Sequence, residues 1–274
     1  MYKGFEIPFK LSISLLRKKP WYNKASYLEI GQEINNGYVE AWEECISYLS
    51  KGRNILDANG IQKNWFPIVD ADVFISHSHR DIDDVLEFVG FLKEEFGLRA
   101  FVDSNVWGYC RDIIDILDSK YSNTNDDEYN SESHDVISTA INTLLSTALN
   151  KQIAHCECFM FLRSRNSTPL KDITYSPWIY GELLTSKIIE KTIPQRVRMI
   201  TKQFSINESK ALGYDFAFSV PSDHLLKLSP RDIINWYDSV NIKLSNSLCD
   251  FVSKRSRFSE ESLNELYELT CKIQ

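Results

Sequence analysis

No run of apolar residues in this chain approaches the ~20 needed to cross a bilayer. Its first ten residues, MYKGFEIPFK, lack the continuous apolar stretch and small-residue cleavage site of a secretory signal. Cysteine is scarce. The six present (Cys45, Cys110, Cys156, Cys158, Cys249 and Cys271) mostly have aromatic or aliphatic neighbours, the setting of buried free thiols rather than of a disulfide framework. Together these absences lead to the expectation of a cytoplasmic protein. Basic charge is not in excess either: 31 Lys and Arg stand against 38 Asp and Glu, a net charge of −7. That argues against general binding to a phosphate backbone, but not against a small anionic ligand held by a few local donors. Two nucleotide signatures are missing. The lack of GxxxxGK[ST] disfavours a phosphate-loop nucleotidase, and the lack of GxGxxG disfavours a hydride-transferring dehydrogenase.

What is present is an ordinary globular composition, 43% hydrophobic and 25% charged over 274 residues, enough to bury a real core. No repeat and no linker rich in Gly or Pro divides it. Phe5, Ile7, Phe9, Leu11, Ile13 and Leu15 alternate with Glu6, Pro8, Lys10, Ser12 and Ser14. Period two predicts a half-buried strand over 5–15, and Pro8 would place it at an edge or at a strand's beginning. Tyr38, Ala41, Trp42, Cys45 and Leu49 make one helical stripe. The first seventy residues are thus expected to form an N-terminal extension packed on the main domain.

From Asp72 the pattern becomes strand, helix, strand. DVFIS (72–76) is a short apolar strand. Val85, Phe88, Val89, Leu92 and Phe96 form a helical stripe closed by Gly97, and LRAFV (98–102) is a second strand. A short stripe (Cys110, Ile113, Ile114, Leu117) precedes a polar, acidic stretch, which predicts an exposed, mobile loop over 120–134. Ile137, Ala140, Ile141, Leu144 and Ala148 resume a helix, and CFMFL (158–162) is a third strand. Ser176 and Pro177 stand as N-cap and first residue of a helix running to about Glu190. VRMIT (197–201) and FAFSV (216–220) read as fourth and fifth strands, with helices near 230–242 and 245–272. The alternation predicts an α/β fold with an open, parallel five-stranded sheet, whose ligands bind beyond the strands' carboxyl ends.

Three segments fall at those ends: SHSHRD (76–81), DSNVWGYC (103–110), and RSRNS (163–167) through YSPWIYGE (175–182). Trp178 and Glu182 are one helical turn apart and share a face. A lone helix glutamate is most often solvated, and a lone tryptophan is most often core.

In succession, DVFISHSHRD, FLKEEFGLRAFVDS and SPWIYGE resemble the first strand and loop, the first helix with the second strand, and the Ser-x-Trp-x-x-x-Glu signature of Toll/interleukin-1 receptor (TIR) domains. The likeness covers roughly 70 to 220. It implies a flavodoxin-like domain over 71–222, an N-terminal extension over 1–70 and a C-terminal helical extension over 223–274. It further implies cleavage of NAD, as substrate rather than cofactor, at the nicotinamide–ribose bond, by hydrolysis or by cyclisation of the ADP-ribose, often in anti-phage signalling. Glu182 would be the catalytic residue, and Ser76, His77, Asp103, Trp107, Ser164 and Trp178 would contact the substrate. Nicotinamide leaves as a neutral molecule, so one ionised carboxylate beside the oxocarbenium-like ribose suffices. Free NAD destruction would be toxic, so self-assembly or a defence partner is expected to gate activity. The chain departs from the family pattern in having Gly108 but no proline after the second strand, His-Ser-His in the first loop, and a long insertion over 119–135.

Other readings stay open. A non-catalytic TIR scaffold would have no need of Glu182, and a nucleoside deoxyribosyltransferase-like enzyme also sets a glutamate near a ribose. His77 with His79, and His155 with Cys156 and Cys158, match no standard zinc spacing, so no metal is expected. Arg163 and Arg165 would suit phosphates but read more simply as a solvated loop. As a helix-face residue outside any buried ion pair, Glu182 is expected to be replaceable by Gln with little effect on folding.

Overall fold

The computed structural model describes residues 1–46, 68–103, 111, 113–119, 131–197, 218–246 and 255–272. In chain order the strands are β1 (Lys3–Pro8), β2 (Val73–Ser76), β3 (Ala100–Val102), β4 (Cys158–Arg163), β5 (Ile173–Thr174), β6 (Phe218–Ser219) and β7 (Leu226–Lys227). The helices are α1 (Phe9–Leu16), α2 (Lys24–Ile46), α3 (Ile82–Phe96), α4 (Ser131–His155), α5 (Pro177–Ile188), α6 (Pro230–Asn246) and α7 (Arg255–Lys272). Residues 113–119 are also helical. Five strands form one all-parallel sheet in the order β3-β2-β4-β1-β7.

Alternation along the strands builds two apolar layers. Val73 and Ile75, Ala100 and Val102, Cys158, Met160 and Leu162, and Phe5 and Ile7 share one layer with α1, α3, α6 and α7. Phe74, Phe101, Phe159 and Phe161 face the other layer, where residues 113–117, α4 and α5 cover them. Helices on both faces leave the sheet's carboxyl edge as the place where loops converge. On the first layer α2 lies against α3 at backbone contact: a Cβ on Gly31 would sit 1.8 Å from the Leu86 carbonyl oxygen, and one on Gly90 1.7 Å from that of Tyr27. Only glycine permits that approach.

The N-terminal segment departs from the expected strand over 5–15. The chain is extended only from Lys3 to Pro8 and then turns into α1. Phe9, Leu11, Ile13 and Leu15 fit period two, but Phe9, Ser12, Ile13 and Leu16 fit the helical period, and these four are the residues buried. Leu11, apolar in the strand reading, is left on the surface at 67% exposure. Nor is β1 an edge: β4 and β7 flank it on its two sides. Pro8 is tolerated because pairing with β7 stops at Glu6, and its carbonyl accepts the Ser12 hydroxyl at 3.0 Å. The sheet draws strands from all three expected segments, 1–70, 71–222 and 223–274.

The fifth strand also falls elsewhere. FAFSV contributes β6, which pairs antiparallel with β5 outside the main sheet, and the sheet ends instead on the two-residue β7. Of the expected fourth strand, Val197 closes a 3-10 turn and 198–201 lie outside the described residues. In the expected loop over 120–134, residues 131–134 form the first turn of α4, and 120–130 lie outside the description. Leu49 and Cys110 of the predicted stripes lie outside it too. Two sequence signals act as read. Gly97 ends α3 in the left-handed conformation at φ 66°, and the Ser176 hydroxyl accepts the Ile179 amide at 3.3 Å, with Pro177 opening α5. The helix ends at Ile188, two residues short of Glu190.

Candidate active site

The strand period that buries Phe74 turns Ser76 to the same face two residues later. In β3 it does the same for Asp103 after Phe101. Ile75 pairs with Val102, so Ser76 and Asp103 follow side by side at the carboxyl ends of neighbouring strands. Helix α5 crosses that face. Its buried stripe is Ile179, Glu182, Leu183 and Ser186, spaced at i, i+3, i+4 and i+7, so the glutamate occupies a core position of the helix. Its carboxyl group is thereby pressed toward Ser76 and Asp103.

Burial is near complete. Glu182 is 3% exposed, Ser76 0% and Asp103 5%. Among the described residues, neither Glu182 carboxyl oxygen has a hydrogen-bond partner of ordinary geometry, and the Ser76 Oγ has none. Such orphaned polar atoms are costly in a protein interior and are concentrated at sites built for something else. Burial drives the Glu182 carboxyl well above the usual carboxylate range, the Asp103 charge drives it further, and the Ser76 hydroxyl opposes them weakly. This setting favours the protonated form of Glu182 more than water does.

His77 is buried beside them, with Nδ1 3.3 Å from the Ile75 carbonyl oxygen and 3.4 Å from Asp103 Oδ1. Loss of solvation lowers its pKa against the opposing pull of Asp103, which keeps the ring neutral. Four expected residues, Ser76, His77, Asp103 and Glu182, therefore lie together. Trp178 is half-buried on the apolar layer one turn before Glu182. Trp107 lies outside the described residues. Glu182 is not the solvated carboxylate that a lone helix glutamate most often is; it belongs to the helix's inner stripe. Trp178, Ile179, Glu182 and Leu183 show that stripe in the sequence once the helix start at Ser176 is fixed.

Ser164 belongs to an adjoining network. Its Oγ donates to Asp81 Oδ2 at 2.5 Å and accepts the amides of Asn166 and Ser167, each at 3.1 Å. Asp81 also receives the Asn166 amide group at 2.7 Å and the Lys10 ammonium at 2.8 Å. This knot ties the loop after β2 to the loop after β4, on either side of the crevice where the winding of the sheet reverses. Local sequence patterns assign Asp81, Asn166 and Lys10 no role, because their meeting depends on strand order. Arg163 pairs with Glu6 and Asp172, which leaves Arg165 as the exposed member of that pair of arginines. Cys156 and Cys158 are buried free thiols, the first pushed up to about 12 by desolvation and the second also raised. No cluster of three or more metal-ligating side chains exists among the described residues.

The chain matches no family model, no curated protein and no solved structure. The arrangement must therefore be judged on its chemistry. A buried carboxyl with an adjustable proton, a hydroxyl and a second carboxyl at the open end of a parallel sheet can bind a ribose hydroxyl or stabilise a developing cation. Among the described residues, no helix is long and apolar enough to cross a membrane.

Proposed function

We propose that this chain is a TIR-like, flavodoxin-like enzyme that breaks the nicotinamide–ribose bond of NAD. The observation that carries the reading is the Glu182 carboxyl, buried beside Ser76 and Asp103 at the carboxyl end of a parallel sheet and, among the described residues, without a hydrogen-bond partner of ordinary geometry. A structural glutamate in that position would be expected to find a cation or several donors. This one is held in reserve. When it ionises, its charge offsets the positive charge that grows on the ribose as the bond lengthens, while the bonding electron pair goes to the pyridinium nitrogen and nicotinamide departs neutral.

Ser76 is placed to orient a ribose hydroxyl, and His77, neutral and buried, to hold Asp103. Trp178 supplies an aromatic wall one turn from Glu182. Water at the ribose carbon gives ADP-ribose, and a second nucleophile within the same dinucleotide gives a cyclic product. Destruction of a central cofactor fits a role in antiviral defence gated by self-assembly or by a partner, with no nucleic acid or membrane required.

The raised proton affinity of Glu182 favours a second reading, a transferase acting on neutral nucleosides, because a protonated carboxyl can serve a leaving base that needs a proton. One experiment separates the two. The purified full chain, dilute and concentrated, is incubated with NAD and, separately, with purine and pyrimidine deoxynucleosides, and the products are resolved by mass spectrometry. Nicotinamide release from NAD supports the first reading. Base release or exchange confined to nucleosides supports the second and overturns the first.

A further inference from the structure

We propose that Asp118, His134 and Ser138 form a second reactive centre, made of none of the residues gathered around Glu182, in which Ser138 is a nucleophile toward activated carboxylic esters. The inference does not depend on NAD cleavage.

Helical periodicity places the three groups. The buried stripe of α4 runs through Ile141, Leu145 and Leu149, and His134 and Ser138 lie on the same face, two turns before Ile141 and Leu145. On these first turns that face is half-buried rather than enclosed. The helix over 113–119 packs on the same apolar layer through Ile113 and Leu117, which brings Asp118 to the start of α4. Asp118 Oδ2 meets His134 Nδ1, and the Ser138 Oγ lies 3.3 Å from His134 Nε2. A carboxylate only accepts, so Asp118 keeps the proton on Nδ1 and leaves Nε2 with its lone pair, into which the Ser138 hydroxyl donates. Other hydroxyls on α4 behave differently. Those of Thr143 and Thr147 donate to carbonyl oxygens one turn back, at 2.7 and 2.8 Å, the ordinary habit of helical Ser and Thr. Among the described residues Ser138 makes no such bond, and its hydroxyl is committed to the imidazole. Hydroxyl, imidazole and carboxylate joined in that order are the parts of a base-activated nucleophile, recognised by geometry and not by sequence position. The His134 and Asp118 side chains are 37% and 16% exposed, which leaves the centre open to a ligand.

In the reaction, Ser138 Oγ bonds to the ester carbonyl carbon as its proton passes to Nε2, while Asp118 holds the proton on Nδ1. When the tetrahedral adduct collapses, the bond from carbon to the alcohol oxygen breaks. The electron pair leaves with that oxygen, which takes the proton from Nε2. Water, giving a proton to Nε2 in its turn, then frees the carboxylic acid and restores Ser138. Ester and water become acid and alcohol, and no other reactant is needed. The position on the helix limits the substrate. Ser138 lies in the second turn of α4, where backbone amides are spent on internal bonds, so the helix offers the adduct's oxyanion no donor and water solvates it. Esters with good leaving groups, such as aryl esters, therefore acylate Ser138, and amides do not. Deacylation must expel the more basic serine alkoxide and is the slow step.

The test is p-nitrophenyl acetate on the full chain, with nitrophenolate release followed by stopped flow and the acetyl group located by peptide mass spectrometry. Wild type should give a burst of about one nitrophenolate per chain and then slow turnover, with the acetyl group on Ser138. Ser138→Ala should abolish the burst, and His134→Gln should slow it on the order of a hundredfold. Asp118 acts through His134 as a positioning residue. Asp118→Asn should slow the burst at least roughly tenfold at an unchanged melting temperature, and nitrogen NMR should show the His134 ring moving from the Nδ1–H toward the Nε2–H tautomer. A merely structural Asp118 would instead lower the melting temperature and leave the burst of the folded protein intact. Should that variant fail to fold, Ser138→Ala and His134→Gln decide the question alone. No burst in wild type, a burst that survives Ser138→Ala, or acetyl groups on lysines and none on Ser138 overturns the proposal. These outcomes stand whether or not the chain cleaves NAD.

Discussion

Among the buried glutamates of the described residues, Glu87 and Glu182 lie on opposite sides of the sheet and are treated in opposite ways. Glu87 on α3 is fully enclosed and fully met: Arg17 donates from Nε to its Oε1 at 2.9 Å and from Nη2 to Oε2, and the Tyr22 hydroxyl donates at 2.9 Å. Those contacts hold the Arg17 guanidinium more firmly charged than usual, with the Glu87 hydrogen bond as the largest cause. Glu182 on α5 is almost as buried and, among the described residues, is met by nothing but a hydroxyl and another acid. A protein that needs a charge for structure surrounds it with counter-charge, as the first layer does. One that needs a charge for chemistry leaves it uncompensated until a ligand arrives, at a cost in stability. The contrast lets the two glutamates be tested against each other.

The largest expected effect is on catalysis at Glu182. Glu182→Gln keeps size and hydrogen-bonding capacity but removes the charge. If that charge supplies ~3–4 kcal/mol to the transition state, NAD turnover falls on the order of a hundred- to a thousand-fold. Nicotinamide release, followed by mass spectrometry on the assembled protein, measures this. Turnover at the wild-type rate would leave Glu182 structural and favour a scaffold.

Glu87 should respond in the reverse manner. Arg17→Met strands a buried carboxylate and should cost about 3 kcal/mol of folding stability, read as a lower urea midpoint with an unchanged slope. Per-molecule turnover of the folded fraction should stay within a factor of two. A stability loss below about 1 kcal/mol would mean that Tyr22 alone satisfies Glu87 and that the asymmetry between the two faces is smaller than drawn.

The third test concerns pH. Glu182 has a folded-state pKa raised above its unfolded value, so folding takes up a proton once the pH exceeds the unfolded value. Its contribution is most favourable below the unfolded carboxylate pKa and is lost as pH rises from there toward the raised folded value. Wild type should therefore lose stability from acidic to neutral pH at this site. Glu182→Gln, whose amide can donate to Asp103 and accept from Ser76, should be flatter and more stable at pH 7.5, by about 1–2 kcal/mol if it removes one unsatisfied buried group. Denaturant midpoints of both proteins from pH 5 to 8 give the difference directly. Parallel curves would show that the proton on Glu182 does not depend on folding.

Much of this was legible in the chain, for physical reasons that differ by element. The strands at 73–76, 100–102 and 158–163 are short apolar runs bounded by polar turns, and they stand where the pattern puts them. Glu182, Ser76 and Asp103 could be brought to one edge because α/β alternation fixes which end of each strand carries ligands. The first sixteen residues could not be divided, since FEIPFKLSISLL satisfies both periods, and only the finished core decides that Leu11 faces out. That β1 enters between β4 and β7 depends on pairing between residues more than 150 positions apart, which no local signal encodes. The burial of Glu182 was readable in the stripe through Ile179 and Leu183, but a charged residue in an apolar stripe defaults to the rim of a helix rather than its floor.

The smallest expected effect tests the element on which the Glu182 arrangement hangs. Helix α5 begins where Ser176 caps it and Pro177 sets its first turn, a boundary written locally in the sequence and present in the fold. Ser176→Ala removes the hydroxyl that accepts the Ile179 amide and should cost about 1 kcal/mol of global stability, like other lost N-caps. Glu182 sits two turns further on, anchored by Ile179 and Leu183 in the apolar layer, so fraying of the first turn should not reach it. The variant should accordingly melt a few degrees lower yet cleave NAD at the wild-type rate well below its transition, and hydrogen exchange should quicken at Ile179 but not at Leu183. If turnover instead falls with the cap, Glu182 is held by the helix start rather than by the core stripe. Its unpartnered state would then reflect a loose helix end, and the contrast with Glu87 would lose its functional meaning.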